Sequence, residues 1–311
     1  MALTVAHAPG KVILFGEHAV VYGRPAVAVP VLDVRATAAV EDMPPGSGIM
    51  VVAEDLKRTF DLFDVPHDDP LRMIVSTTLA RLGVGMEVAL KITVSSTIPI
   101  ARGLGSGAAI STAIARALGK HLGQWLTSRA VSDLVFETEK IYHGTPSGID
   151  NTVIAFEKPV YFIKDKIRDV FWVRTPVPLV IGDTGVVSPT AIAVGDVRSA
   201  WEQARERYEE IFDEIGTLAH MGREAMESGD LEAIGRLMNA NQKLLRLLDV
   251  SSPELEGLIE AAIQGGALGA KLAGAGRGGN MVAVVTPETA GQVSMMLRLA
   301  GAKNVIVTKV K

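Results

Sequence analysis

The chain has 311 residues, 48% of them hydrophobic, with 31 Lys plus Arg against 35 Asp plus Glu and a net charge of −4. This is enough apolar mass for a large core split over two domains, and it argues against disorder. No basic block stands out, which disfavours nucleic acid or an anionic membrane as partner; the absence of cysteine excludes disulfides, thiolate catalysis and Cys-ligated zinc. The opening stretch MALTVAHAPGKVILFGEH lacks a basic start, and His7, Pro9 and Lys11 interrupt its apolar residues, so it does not read as a signal peptide. No run of 18 apolar residues suits a membrane span. The expectation is a soluble, cytoplasmic protein.

Runs rich in Val, Ile and Thr predict strands over 11–16, 26–41 and 87–96. Between the last two, EDMPPGSG (41–48) is a turn-rich connector. Residues 68–83 predict a helix opened by Asp68 or Asp69 with Pro70 in its first turn. After the third strand, Ile110, Ile114, Leu118 and Leu122 recur every fourth position, giving a helix with one buried face. A further helix covers 127–142, capped by Thr127 or Ser128. GTPSGIDN (144–151) reads as a loop and 158–175 as a hairpin. PVPLVIGDTG (176–185) marks a seam, which divides the chain into domains 1–176 and 177–311.

Beyond the seam, two long helical patterns occupy 196–227 and 230–249. In the second, Leu231, Ile234, Met238 and Leu245 share their stripe with one polar member, Asn241. A shorter helix starts at Ser252-Pro253, and then come strands at 267–273 and 281–286, a helix at 287–300 and a strand at 303–310. That order suggests a small α+β sandwich.

The turn GLGSG (103–107) runs straight into the third-strand helix. A helix start leaves N–H groups unpaired and carries partial positive charge, so phosphate is a natural guest there. Gly103, Gly105 and Gly107 let a phosphate approach the backbone, and Ser106 offers a hydroxyl to a phosphate or a metal. The plainer alternative is a glycine-rich turn that only caps a helix. No Lys-Ser or Lys-Thr follows the last glycine, so this is not a Walker loop. A second cluster, GAGRGG (274–279), matches the dinucleotide pattern in letters, but a strand follows it where a helix is required, and 289–311 holds no acidic residue. It reads as a tight connection between strands, and a dinucleotide-dependent oxidoreductase rests on it alone.

Three polar clusters remain. Lys11, Glu17 and His18 bracket an apolar strand; Glu139 sits on a helix beside Glu137 and Lys140; Asp150 lies in PSGID. Singly, these read as strand-end charges, a solvated helix face, and an Asx turn or helix cap. Together with a phosphate-type turn they amount to more. Phosphoryl transfer needs a phosphate cradle, a carboxylate for Mg²⁺, a base for the attacking hydroxyl and a cation for developing charge. The 103–107 turn, Glu139, Asp150 and Lys11 can supply all four.

PGKVILFGEHAVVYG, PIARGLGSGAAIS and KLAGAGRGGN resemble the three motifs of the GHMP kinase superfamily and span residues 8 to 280. The first, with HGTPSGIDN and the DTG of 183–185, most resembles the mevalonate-phosphorylating branch. The resemblance implies an α+β, two-domain GHMP kinase fold. Its N-terminal domain is S5-like with a left-handed βαβ crossover, and its C-terminal domain is ferredoxin-like.

It also implies ATP-dependent phosphorylation of the C5 hydroxyl of mevalonate with Mg²⁺. Asp150 matches the base and Lys11 the lysine beside it; Glu139 matches the Mg²⁺ carboxylate. Glu17, His18 and Thr184 match substrate-contacting positions. Gly103, Leu104, Gly105, Ser106, Gly107, Ala108 and Gly276 match the ATP-phosphate loops. A homodimer is implied as well. Three departures stand out: Gly107 replaces a second serine expected to touch Mg²⁺, which leaves Ser106, Ser111 or a water for the metal; Arg277 interrupts the third glycine loop, where it can reach a phosphate or point to solvent; and Asn280 replaces a residue often seen as cysteine. The alternatives are another GHMP small-molecule kinase, acting on phosphomevalonate or a sugar, and a non-catalytic ligand sensor on the same scaffold.

Overall fold

The computed structural model describes residues 3–99, 103–143, 147–164, 166–187 and 190–311. Strand β1 (Thr4–Phe15) leads through a single 3-10 turn, Ala19–Tyr22, into β2 (Ala26–Asp42). A hairpin, β3 (Ile49–Ala53) and β4 (Arg58–Asp61), precedes α1 (Pro70–Arg81) and β5 (Leu90–Ser96). Then follow α2 (Ser106–His121), α3 (Ser128–His143) and α4 (Ile149–Phe156). A second hairpin, β6 (Val160–Ile163) and β7 (Ile167–Val170), leads to β8 (Val177–Asp183). The remainder is α5 (Thr190–Gln203), α6 (Arg205–Ser228), α7 (Leu231–Leu247), α8 (Pro253–Gln264), β9 (Gly269–Ala273), β10 (Asn280–Val284), α9 (Ala290–Leu299) and β11 (Asn304–Val310).

The chain forms two compact units. One comprises residues 1–10, 34–99 and 105–157; the other comprises 11–33, 100–104 and 158–311. In the first, β5 pairs antiparallel with the C-terminal half of β2 and parallel with β3, and α1, α2, α3 and α4 pack together. Asp69 caps α1, accepting from the backbone N–H of Leu71 and Arg72, with Pro70 at the first helical position. Thr127 caps α3 by accepting from Ala130 N. The single buried face expected for α2 is too narrow a reading. Ala108, Ala109, Ser111, Thr112, Ala113, Ile114, Ala115, Ala117, Leu118 and Gly119 are all buried, because the helix is enclosed by α1, α3, α4 and β5.

In the second unit, β11, β8, β10 and β9 form an antiparallel sheet in that order. Its core joins Val180, Leu272, Met281 and Ala283 of the sheet to Phe212, Ile215, Leu245, Leu258 and Leu297 of the helices. The order of the sheet, with one antiparallel hairpin and two helical crossovers, is that of a ferredoxin-like domain. The 274–279 cluster is the hairpin loop between β9 and β10, as its strand context predicts.

Other expectations change. β3 and β4 are not marked in the strand reading, because each offers only four or five residues of pattern. The expected loop at 144–151 contains the start of α4; residues 144–146 lie outside the described residues. The pattern over 196–227 is two helices that break at Ala204, whose φ of −137° and ψ of 54° are non-helical. The apolar spacing continues across the break, so periodicity cannot reveal it.

Candidate active site

In the first unit, α2 begins at an uncapped end. Gly105 is its N-cap at φ 74°, in the left-handed region that favours glycine, and it has no side chain with which to bond the first N–H groups. Gly103, at φ 75°, has open space where a Cβ would project. Ser106, Gly107 and Ala108 form the first turn. The helix end therefore offers an anion a backbone cradle with partial positive charge.

Glu139 of α3 is only 4% exposed. The solvated pair on that helix is its neighbours, Lys140 Nζ donating to Glu137 at 2.7 Å. Asp150, half-buried, sits in the first turn of α4, whose N-cap is Gly148 at φ 88°. The cap position belongs to Gly148 and not to Asp150, and a carboxylate in a first turn is favoured by the helix dipole. Asn151, the next residue, anchors α4 to α3 by donating to Ser132 O and Oγ at 3.0 and 2.9 Å.

In the second unit, Lys11, Glu17 and His18 are 5%, 1% and 5% exposed, which overturns the strand-end surface reading. The backbone N–H of Lys11 donates to Leu104 O at 3.0 Å, tying β1 to the start of the glycine turn. At the end of β1 the chain bends sharply: a Cβ on Gly16 would lie 2.5 Å from Ala26 Cα, and His18 is held at φ 61°. Non-glycine residues rarely adopt this conformation, and they concentrate at functional sites.

His18 Nε2 donates to Ala275 O at 3.0 Å. Burial pulls its pKa down to about 4, and the nearby Arg277 and Lys271 charges add to that; the ring is neutral at physiological pH. Glu17 forms a buried ion pair with Lys271 of β9, which also donates to Leu272 O at 2.6 Å. Burial pushes the Glu17 carboxyl up and the Lys271 ammonium down, and each draws the other back toward its charged form.

The third glycine loop is pinned from several sides. Gly279 O accepts from Thr184 N and Oγ1 at 2.9 and 2.8 Å, and Gly279 N donates to Val186 O. At Gly276, φ is 78° and a Cβ would lie 2.0 Å from Val250 O, so only glycine fits. The Arg277 guanidinium, partly exposed, pairs with Asp196 of α5 and donates to Asp249 O.

Thus the structure joins the first and third motifs through His18 and Ala275, and it packs α2 against the helices carrying Glu139 and Asp150. Lys271, Gln242 and Asn241 have no role in the sequence reading. The available signal was Asn241, the polar member of an apolar stripe.

Glycine-lined backbone that can cradle phosphate, together with carboxylates and a lysine, supplies the residue types that phosphoryl transfer uses. Residues 71–158 match the GHMP kinases N terminal domain and 223–303 the GHMP kinases C terminal domain. The chain is 34% identical over 98% of its length to a mevalonate kinase from Thermococcus sibiricus, 96% of which is covered. Its structure is similar to Leishmania major mevalonate kinase in complex with R-mevalonate (TM-score 0.86, 29% identity, covering 100% of this chain and 96% of that one). It is also similar to Methanococcus jannaschii mevalonate kinase (TM-score 0.87, 26% identity, covering 100% and 99%). The chain belongs to the GHMP kinase family and is a kinase with its two-domain α+β fold.

Proposed function

We propose that the protein transfers the γ-phosphoryl group of ATP to the C5 hydroxyl of mevalonate, giving ADP and 5-phosphomevalonate. The proposal rests on one observation: Lys11, Glu17, His18 and Glu139 are buried ionisable groups, Lys11 bonded through its backbone to Leu104, His18 bonded to Ala275 with Glu17 next to it, and Glu139 on a helix packed against α2. Burying such groups is unfavourable unless chemistry or pairing calls for it. The names of the similar proteins supply the acceptor.

In this reading the N–H groups from Gly103 to Ala108, with Gly276, hold the phosphates. Asp150 takes the proton of the C5 hydroxyl as its oxygen attacks the γ-phosphorus and the bond to the β-phosphate oxygen breaks. Lys11 stabilises the charge that develops on the attacking oxygen. Glu17, His18 and Thr184 shape the acceptor side. The donor set also suits Mg²⁺, which takes one or two carboxylates and completes its shell with phosphate oxygens and water. Glu139 and Ser106 are hard oxygen donors on adjoining helices and would hold it; when bound, it neutralises phosphate charge. We further propose domains 1–176 and 177–311, the second starting where β8 opens the four-stranded sheet, and a cytoplasmic homodimer. Sedimentation tests the dimer, which the resemblance alone suggests.

Turnover on mevalonate, 5-phosphomevalonate and galactose tests the assignment. Mevalonate alone should be phosphorylated; preference for either other acceptor, or none with all three, overturns it.

A further inference from the structure

Helix α7 carries three polar side chains toward the sheet, and they behave differently. Asn239 joins α7 to the sheet edge: its Oδ1 accepts from Ala270 N at 3.0 Å and its Nδ2 donates to Leu268 O. Gln242 does likewise: its Oε1 accepts from Leu272 N, and its Nε2 donates to Ser251 Oγ and Glu256. These two satisfy backbone groups that would otherwise be stranded, a structural task.

Asn241 bonds no such group. It is fully buried in the stripe of Ile234, Met238 and Leu245, where leucine would pack without polar atoms. Its Nδ2 faces Glu17 Oε2 at 3.5 Å, and its Oδ1 finds no partner among the described residues. An amide that leaves one buried acceptor idle in order to face a carboxylate does not serve packing.

Glu17 is thereby held at both oxygens, Oε1 by Lys271 and Oε2 by Asn241. The next residue is His18, whose left-handed backbone and bond to Ala275 O join the first motif to the third glycine loop. We infer that Asn241 is a positioning residue: with Lys271 it fixes the Glu17 carboxylate, and through it the His18 bend on which the acceptor side of the site depends. This rests on the kinase reading above and deepens it.

The test uses Asn241→Leu and Asn241→Ala in the full chain. Leucine fills the stripe and alanine leaves a cavity, so melting temperature should be kept or raised in the first and lowered in the second. Turnover should fall by about tenfold or more in both, because a small displacement of a positioned group is costly to rate, with KM for ATP within about twofold of wild type. The ¹⁵N resonance of the His18 Nε2–H should shift or broaden in both variants, a readout independent of any acceptor. Loss of activity that tracks melting temperature, or full activity with an unmoved His18 resonance, overturns the inference. If the wild-type protein fails to phosphorylate mevalonate, the kinase assignment falls and the His18 resonance alone decides the positioning role.

Discussion

His18 is neutral in the folded protein down to about pH 4, whereas an unfolded histidine titrates near 6.5. As pH falls below 6.5 the unfolded chain binds a proton that the folded chain refuses, so folding stability declines from there to about pH 4 and then levels off. The full span is worth roughly 3 kcal/mol. Urea midpoints at pH 7 and pH 5 should therefore show a steeper loss for wild type than for His18→Asn, since asparagine does not titrate in this range. An equal loss in both would remove His18 from the account. Arg277 is a milder case. Its pair with Asp196 is partly exposed, so Arg277→Gly should change stability by less than about 1 kcal/mol in a urea titration. At this scale the sequence identified residues by type but not by environment. Lys11, Glu17 and Glu139 looked like surface charges because burial depends on partners such as Lys271, which lies 254 positions from Glu17.

The elements that carry strong local signals were legible: the Asp69–Pro70 start of α1, the Thr127 cap of α3 and the Ser252–Pro253 start of α8 all follow from side chains that accept first-turn N–H groups. Removing the first cap, Asp69→Ala, should lower stability by about 1 kcal/mol while leaving kcat unchanged. The loop between β9 and β10 permits a sharper comparison. Gly274 has φ 86° with open space around its missing Cβ, whereas Gly276 has φ 78° and would drive a Cβ into Val250 O. Gly274→Ala should lose about 1 kcal/mol from backbone strain alone. Gly276→Ala should lose more and also raise KM for ATP, because the loop must move. Equal melting temperatures for the two variants would refute the close approach. What the sequence hid at this scale was continuity: α4 follows a glycine with left-handed backbone that has no side chain to cap it, and the α5–α6 break leaves the apolar spacing intact.

Across the whole molecule, β1 and β2 each run from one compact unit into the other, so the units interleave along the chain. Local composition cannot show this, because which segments pack together depends on long-range pairing such as β2 with β6 and β8 with β11. The family-scale motifs were legible for the opposite reason: glycines at positive φ and a helix end without a cap are local demands that leave a local trace. ATP at 100 times its dissociation constant should stabilise the protein by about 2.7 kcal/mol, read as a rise in melting temperature. The central claim is that Asp150 removes the proton of mevalonate as the phosphoryl group is transferred. Its most direct test is ³¹P spectroscopy of wild-type and Asp150→Asn protein incubated with ATP and mevalonate. Wild type should give ADP and a phosphomonoester in equal amounts, while Asp150→Asn should bind ATP normally yet form product at least about 10²-fold more slowly. Product formation by Asp150→Asn at the wild-type rate would contradict the account.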